Sequence, residues 1–466
     1  MNLPPEASPA LTLTDNSVLA GPLSRQIWRL FWPACTVMLF ETANTVANLF
    51  WVAKLGTQPV AGVVSSMFIF WLAFSLLNIV TSGVIATVSR CLGAQKVELA
   101  RHYATQALLF ALAFGLLVGT GGVVFGKQFF QWMGNAPEVA ALGYRYLSAL
   151  SVFLPFLFGA ETAASIFRAS GDTKTPMMVT GSALIFNIVL NPFLIFGLGP
   201  FPRLEMAGAG LSTGIAYTAE LLTFLFIIKK KRPPFAPLLS ARIKPDYRTI
   251  GEITRIGLPV SISGISFTVV YLFLDNLASS FGVFALAALG FGNRIEAVSF
   301  LTCFAFSVAA ATLVGQYLGA KDPKGAERAA YKTLFYAMAV TGSLSLFFLI
   351  LANPIVRIFS SDGAVIDAAV AYLRIIALSQ VFMGFEIVLE GAFAGAGNTL
   401  PAMLISVSGS VARIPLAYLF ARTLNLGVPG IWWALTLTTI VRGAVTLFWF
   451  SRGGWKKKKV AGLSAV

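Results

Sequence analysis

Long uninterrupted apolar runs constrain this chain before anything else. A bilayer core asks for about 20 apolar residues per helical span, and runs of that kind recur along most of the 466 residues. Hydrophobic types make up 57% of the sequence and charged types 11%. Soluble domains carry about 25% charged residues, so this chain cannot dress a water-facing surface of matching size. A soluble enzyme, a nucleic-acid-binding domain and a disordered chain are excluded. The runs are continuous rather than short and alternating, which excludes a membrane barrel. The expected fold is an all-α polytopic membrane protein with twelve transmembrane helices.

Gly, Pro and charge punctuation place the spans at 26–52, 60–89, 102–125, 140–167, 175–198, 207–229, 252–279, 285–316, 329–352, 365–394, 401–422 and 428–450. One long polar connection, holding Lys231, Arg232, Pro233, Pro234, Arg242 and Lys244, interrupts them. The expected organisation is an N-terminal segment 1–25, a six-helix lobe 26–229, a linker 230–251, a second lobe 252–450 and a basic tail 451–466. Met1 to Ser24 has no basic stretch leading into a short apolar one, so no cleavable signal is expected.

The net charge of +15 reads as retention of basic loops on one side rather than as nucleic-acid binding. With both termini on that side, 24 of the 34 Lys and Arg fall there and 7 on the other, and Arg294, Arg413 and Arg442 lie inside spans. The expectation is a cell (inner) membrane protein with both termini cytoplasmic, its Lys456–Lys459 tail near lipid headgroups or simply solvated. Cys35, Cys91 and Cys303 show no paired spacing, and the one histidine, His102, builds no metal cluster. No metal or cofactor is expected.

The two halves are copies. Pro33 recurs as Pro259, Gly56 as Gly282, Leu92-Gly93-Ala94 as Leu318-Gly319-Ala320, Tyr146-Leu147 as Tyr372-Leu373, and Gly171 as Gly397, each 226 residues on. Six spans are an even number, so the second copy enters from the same side and the repeat is parallel, as transporter halves can be.

Several of these elements together resemble the multidrug and toxic compound extrusion (MATE) family. They are Trp32-Pro33, Val52-Ala53-Lys54-Leu55-Gly56, Arg90-Cys91-Leu92-Gly93-Ala94, Phe167 to Pro176, Asn187 to Gly197, Asn293-Arg294-Ile295-Glu296, Val314-Gly315-Gln316, Gly395-Ala396-Gly397 and Arg413-Ile414-Pro415-Leu416. The resemblance covers nearly all of 26–450. It implies two six-helix lobes alternating between inward and outward openings, and efflux of lipophilic, often cationic organic compounds against inward movement of H+ or Na+. The partners it implies are a small organic substrate, the coupling ion and membrane lipid, with no nucleic acid.

Ionisable groups inside spans cost at least ~2.5 kcal/mol and are functional candidates by default. Glu41 is followed by Asn44, Thr45 and Asn48 on one helical stripe. Asn187 and Asn191 form a second stripe, Thr213, Tyr217 and Glu220 a third, and Ser75, Asn78 and Ser82 a fourth. If the stripes converge, Glu41, Asn187, Asn191 and Thr213 form an ion-coupling site; the alternative is Glu41 held neutral by Asn187 or Asn48 as interhelical glue. The remaining candidates for the substrate cavity are Asp275, Glu296, Glu386, Glu390 and Arg413. Glu386 is open to pairing with Arg413 instead, Arg294 to neutralising a neighbouring acid, and Glu161 and Arg442 have no assigned role.

The chain departs from the family pattern. An Asp common in the fifth span is Asn191, another near the end of the first is Asn48, and the repeat mate of Glu41 is Phe267. A carboxylate-rich Na+ site at Glu41, Asn187, Asn191 and Thr213 is thereby disfavoured relative to a proton site. Phe50, Trp51, Phe70, Trp71 and Tyr271 offer aromatic faces to a cation, or serve as packing and interfacial residues. No phosphate loop, zinc helix or nucleophile elbow occurs, so no enzyme is expected. A sugar-lipid flippase of the same fold remains an alternative, with only Arg413 and Arg442 as deep cations.

Overall fold

The computed structural model describes residue 19, residues 21–231, residues 233, 235 and 237, and residues 244–458. Most of the N-terminal segment, Arg232, Pro234 and Arg242 of the linker, and Lys459 lie outside the described residues. Fourteen α-helices follow one another, with no strand among the described residues. The first lobe holds α1 (Leu23–Ala53), α2 (Thr57–Gly93), α3 (Val97–Trp132), α4 (Pro137–Ser151), α5 (Leu154–Ser170), α6 (Lys174–Phe196) and α7 (Glu205–Lys231). The second holds α8 (Tyr247–Ser279), α9 (Val283–Gly319), α10 (Pro323–Arg357), α11 (Gly363–Ala377), α12 (Gln380–Gly395), α13 (Thr399–Tyr418) and α14 (Val428–Ser451).

The 226-residue offset holds at the level of single helix ends. Thr57 and Gly93 bound α2, and Val283 and Gly319 bound α9. Turns repeat as well: Gly56 and Gly282 precede these helices at φ 124° and 117°, and Gln95 and Lys321 follow them, both at φ 58°. The repeat is therefore a copy of turn chemistry as well as of apolar pattern.

Two expected spans are each two helices. Segment 140–167 breaks between α4 and α5 with a 56° bend, and 365–394 between α11 and α12 with a 57° bend. Pro155 in the first turn of α5 fits that break, but its mate is Val381, so proline is not what both copies share. Nine of the described helices are long and apolar enough to cross a membrane, and eleven spans result if each bent pair counts as one. The twelfth, α1, is 31 residues long, about 46 Å at helical rise. Its stripe of Glu41, Asn44, Thr45 and Asn48 makes it less apolar than the rest.

The lobes meet at the end where α1 and α8 begin, called here the basal end. Contact is backbone on backbone: a Cβ on Gly93 would overlap the Gln316 carbonyl, and one on Gly319 would overlap the Arg90 carbonyl. Gly93 and Gly319 are repeat mates, and so are Arg90 and Gln316, so the two contacts exchange under a two-fold relation. Higher up, Gly83 lies against the Ile253 carbonyl and Gly257 against that of Ile79. The ends of α2 and α9 share this end, which makes the repeat parallel as expected. Phe31 of α1 stacks on Phe306 of α9 at 3.9 Å and adds an apolar lock.

A polar strap crosses the same end. Gln106 of α3 donates to the Lys244 carbonyl at 3.0 Å and accepts from the Asp246 N–H at 2.9 Å. Asp246 caps α8, accepting from the N–H groups of Arg248 and Thr249, and lies 2.9 Å from His102. The Thr249 hydroxyl, then the His102 imidazole, hold its carboxyl well below the usual carboxylate range. A depressed carboxyl adds stability that is present above its unfolded pKa and fades as pH falls through the folded value. The cap therefore persists at neutral pH and weakens only in strong acid. Arg90 also donates to the Lys458 carbonyl at 2.8 Å, tying the C-terminal tail to the first lobe.

Two substitutions test the seal, using buried Cys91 as the probe. Gly257→Leu should raise maleimide labelling of Cys91 at least about tenfold, because a helix crossing that demands glycine cannot take a branched side chain. Asp246→Ala should lower unfolding stability by about 1 kcal/mol through the lost cap and raise Cys91 labelling less than Gly257→Leu. Unchanged labelling in the leucine variant would show that the lobes are held elsewhere.

Candidate functional site

In the first lobe, four apolar helices carry polar groups to one interior. From α6, Asn191 is fully buried and accepts from the Ser212 hydroxyl of α7 at 2.5 Å. Asn187, one turn earlier and 1% exposed, keeps an Nδ2 with no partner. The Tyr146 hydroxyl of α4 lies beside Asn48 of α1 and Thr213 of α7. Asn44 and Asn48 each hold a buried Oδ1 without a donor. Buried amide atoms are normally satisfied, so this group of unmatched oxygens and nitrogen marks a place where an ion, water or ligand fits.

Glu41 lies on α1 beneath that group, partly exposed, and the charges of Glu161 and Arg168 of α5 act on it. Arg168 pairs with Glu161 at 3.0 Å and also donates to Ser165. Arg168 is thus an interior cation and not the free loop charge that a side-by-side count assumes, and Glu161 gains the partner it lacked in the sequence. Glu220 of α7 is 1% exposed; its Oε1 accepts from Thr180 at 2.6 Å and its Oε2 has no partner. Tyr217 of α7 lies near Glu220, Glu41 and Glu161. Asn78 is half-buried on α2 and bonded at 3.4 Å to Thr81, while Thr45 is exposed and returns its hydroxyl to the Glu41 carbonyl.

The second lobe is organised differently. Glu386 pairs with Arg442 at 2.9 Å. The pairing of Glu386 with Arg413 is therefore corrected, and Arg442 has its partner. The reason is geometric: α12 packs against α14 far more than against α13. Arg413 is 2% exposed and gives its Nε and one Nη to Thr438 and Thr439. Glu390 keeps one buried oxygen without a partner. Glu296 accepts from Tyr372 at 2.6 Å and Gln380 at 3.3 Å, with no ion pair to Arg294 among the described residues. Asp275 is half-buried on α8. Of the aromatic candidates, Phe50 and Trp51 already flank the chain's own Lys54 ammonium, 4.8 Å from each ring.

The sequence did not single out Thr180, Ser212, Tyr146 or Arg168 as site residues. Ser212 sits beside Thr213, and Arg168 follows Glu161 at i+7 on one helical face, so two signals were present. Tyr146 and Thr180 belong to helices whose facing neighbours no single-sequence pattern reveals.

A family model described as MatE matches residues 33–193 and again 259–419, two stretches also 226 residues apart. A Thermotoga maritima protein named "Probable multidrug resistance protein NorM" is 28% identical over 443 residues, 94% of each chain. A Shewanella oneidensis protein named "FAD transporter" is 25% identical over 432 residues, 92% of this chain and 94% of that one. The fold is similar to that of a solved MATE transporter in a bent conformation, with a TM-score of 0.88 at 22% identity, covering 95% of this chain and 98% of the other. A multidrug resistance MATE transporter in an outward-facing conformation matches with a TM-score of 0.87. Matched over more than half its length, in both lobes and in register with its internal repeat, the chain belongs to the MatE family.

Proposed function

We propose that this protein is a proton-coupled efflux antiporter for lipophilic organic cations, working by alternating access of its two lobes in the cell (inner) membrane. The observation that carries the reading is the first-lobe pocket: Glu41 beneath unmatched amide atoms of Asn44, Asn48 and Asn187, on helices that are otherwise apolar. Three carboxyls, Glu41, Glu161 and Glu220, against one guanidinium, Arg168, in that interior group favour a cationic substrate. The names of the Thermotoga and Shewanella relatives point to drugs and to FAD respectively, and this charge balance favours the first. With the basic end cytoplasmic, the basal seal corresponds to a state closed inward, with the cleft between the lobes reached from outside. No reaction is assigned to the chain.

Protons fit the pocket better than sodium. A hard cation takes several charged or carbonyl oxygens, whereas the fifth-span position common to the family pattern is the amide Asn191, already engaged by Ser212. One carboxyl can instead take a proton from the outer cleft and shift the equilibrium between two lobe arrangements, provided the proton binds them differently. Asn44, Asn48, Asn78, Tyr217, Thr45, Asp275, Glu296, Glu390 and Arg413 are proposed to face substrate or its entry path, and Asn187, Asn191 and Thr213 to read the state of Glu41.

In proteoliposomes, Glu41→Gln should lower ethidium transport driven by a pH gradient by about 100-fold, the scale of a lost proton carrier. The protein should still bind ethidium. Undiminished efflux in that variant, or transport that follows a sodium gradient at clamped pH, would overturn the assignment. The buried pair gives a separate expectation. Glu386→Ala should destabilise the protein by about 3 kcal/mol by stranding Arg442, read as a lower midpoint of thermal unfolding in detergent, and Glu386→Ala with Arg442→Met should recover most of it.

A further inference from the structure

We infer that Glu220 is a second proton carrier in series with Glu41, passing protons down the interior of the first lobe toward the basal end. The inference rests on the proton-coupled reading above and names residues that reading does not use.

Helical rise orders the groups by depth. Thr173, at the start of α6, bonds the Arg29 carbonyl, so Glu41 lies about 18 Å above that basal turn by helical rise, and Glu220, bonded to Thr180, about 10 Å above it, with Tyr217 about one turn higher on α7. Glu161 lies about 14 Å above the basal end of α5, and Arg168 about 3 Å. Glu41 therefore lies uppermost, Tyr217, Glu161 and Glu220 lie below it at similar depth, and Arg168 is lowest, with α7 packed against both α1 and α5. Successive members act on each other electrostatically: Tyr217 with Glu41 and Glu220, and Glu220 with Glu161, Glu41 and Arg168. While the seal is closed, the interior of a lobe is the path by which a proton held at Glu41 can approach the basal end.

Glu220 has the attributes of a relay. The side chain is 1% exposed. One oxygen is fixed by the Thr180 hydroxyl at 2.6 Å, which orients the carboxyl. The other is buried without a partner, free to take a proton and hand it on. The groups facing it are Glu41 from α1, Tyr146 from α4 by way of Tyr217, Glu161 and Arg168 from α5, and Thr180 from α6. Arg168 is the one cation among them, and it is occupied by Glu161 at 3.0 Å. In each transfer a carboxylic acid loses a proton as the next carboxylate gains one, Tyr217 accepting a proton on its hydroxyl oxygen as it gives up its own, so the charge of the set is unchanged. A proton that reaches Glu161 neutralises it and loosens its hold on Arg168 at the basal surface, from which the proton passes to water.

The test uses the full-length protein in proteoliposomes, with ethidium as substrate, internal pyranine reporting proton flux, and an imposed pH gradient. Glu220→Gln should cut driven ethidium transport and its proton flux together by about tenfold or more, and Glu220→Asp should restore a substantial part. Thr180→Val leaves the carboxyl in place but removes its orienting donor, and should move the pH of half-maximal transport by about half a unit or more. Wild-type rates in Glu220→Gln while Glu41→Gln is inactive would overturn the relay and leave proton coupling standing. Wild-type rates in both variants would overturn the coupling reading itself. If Glu220→Gln and Glu220→Asp lose transport alike and Thr180→Val keeps the wild-type pH profile, Glu220 is structural and the relay falls.

Discussion

At the basal end two helix backbones touch because neither Gly93 nor Gly319 carries a side chain, and the carbonyls of Gln316 and Arg90 occupy the space a Cβ would need. In hydrocarbon there is little hydrophobic gain in bringing two apolar helices together, so close backbone approach and polar contacts must hold them. The remaining joints depend on this crossing. Gln316 can donate to the Ala169 carbonyl and Thr312 to that of Arg168 only because α9 lies this close to the first lobe. The strap through Gln106, His102 and Asp246 runs over the same joint. The joint also buries Ile27, Leu30 and Phe31 of α1 in one core with Phe306 and Val314 of α9, so opening it exposes apolar surface as well as exchanging its hydrogen bonds with water.

Duplication gave both lobes one frame of hydroxyls and left the charges free to diverge. Ser212 and Thr213 of α7 correspond to Thr438 and Thr439 of α14. In the first lobe these hydroxyls serve Asn191 and Tyr146; in the second they serve Arg413, the mate of Asn187. Thr180 orients Glu220, and its mate Ser406 lies 3.4 Å from Glu386. At the position of the neutral amide of Asn187 the second lobe carries a guanidinium, held by the hydroxyls of Thr438 and Thr439. Each lobe thus holds one buried ion pair, Glu161–Arg168 and Glu386–Arg442, and one carboxyl with an unmatched oxygen, Glu220 and Glu390.

The fold was largely legible in the sequence because a bilayer removes alternatives. Span length, the 226-residue offset and the turn glycines follow from local chemistry, and the helix ends of α2 and α9 obey the offset to the residue. The bends at α4–α5 and α11–α12 were not legible, since both halves of each segment are apolar and only one copy carries a proline there. The site was legible as stripes on single helices. Which stripes meet depends on helix rotation and crossing, which is why Arg442 rather than Arg413 reaches Glu386, and why Thr180 was missed although it fixes a buried carboxyl.

Arg168 shows how one residue ties the seal to the interior. Its guanidinium is held by Glu161 and Ser165 inside the first lobe, while its backbone carbonyl accepts from Thr312 of the second. The next residue, Ala169, accepts from Gln316, whose own carbonyl packs on Gly93. A change in the charge of Glu161 therefore acts on the last turn of α5, and that turn is bonded to α9 across the lobe interface. Coupling of this kind needs no long chain of intermediates. The ionisable interior and the opposing lobe are attached to the same few residues, so a change at the Glu161–Arg168 pair is felt at the lobe contact without any intervening element.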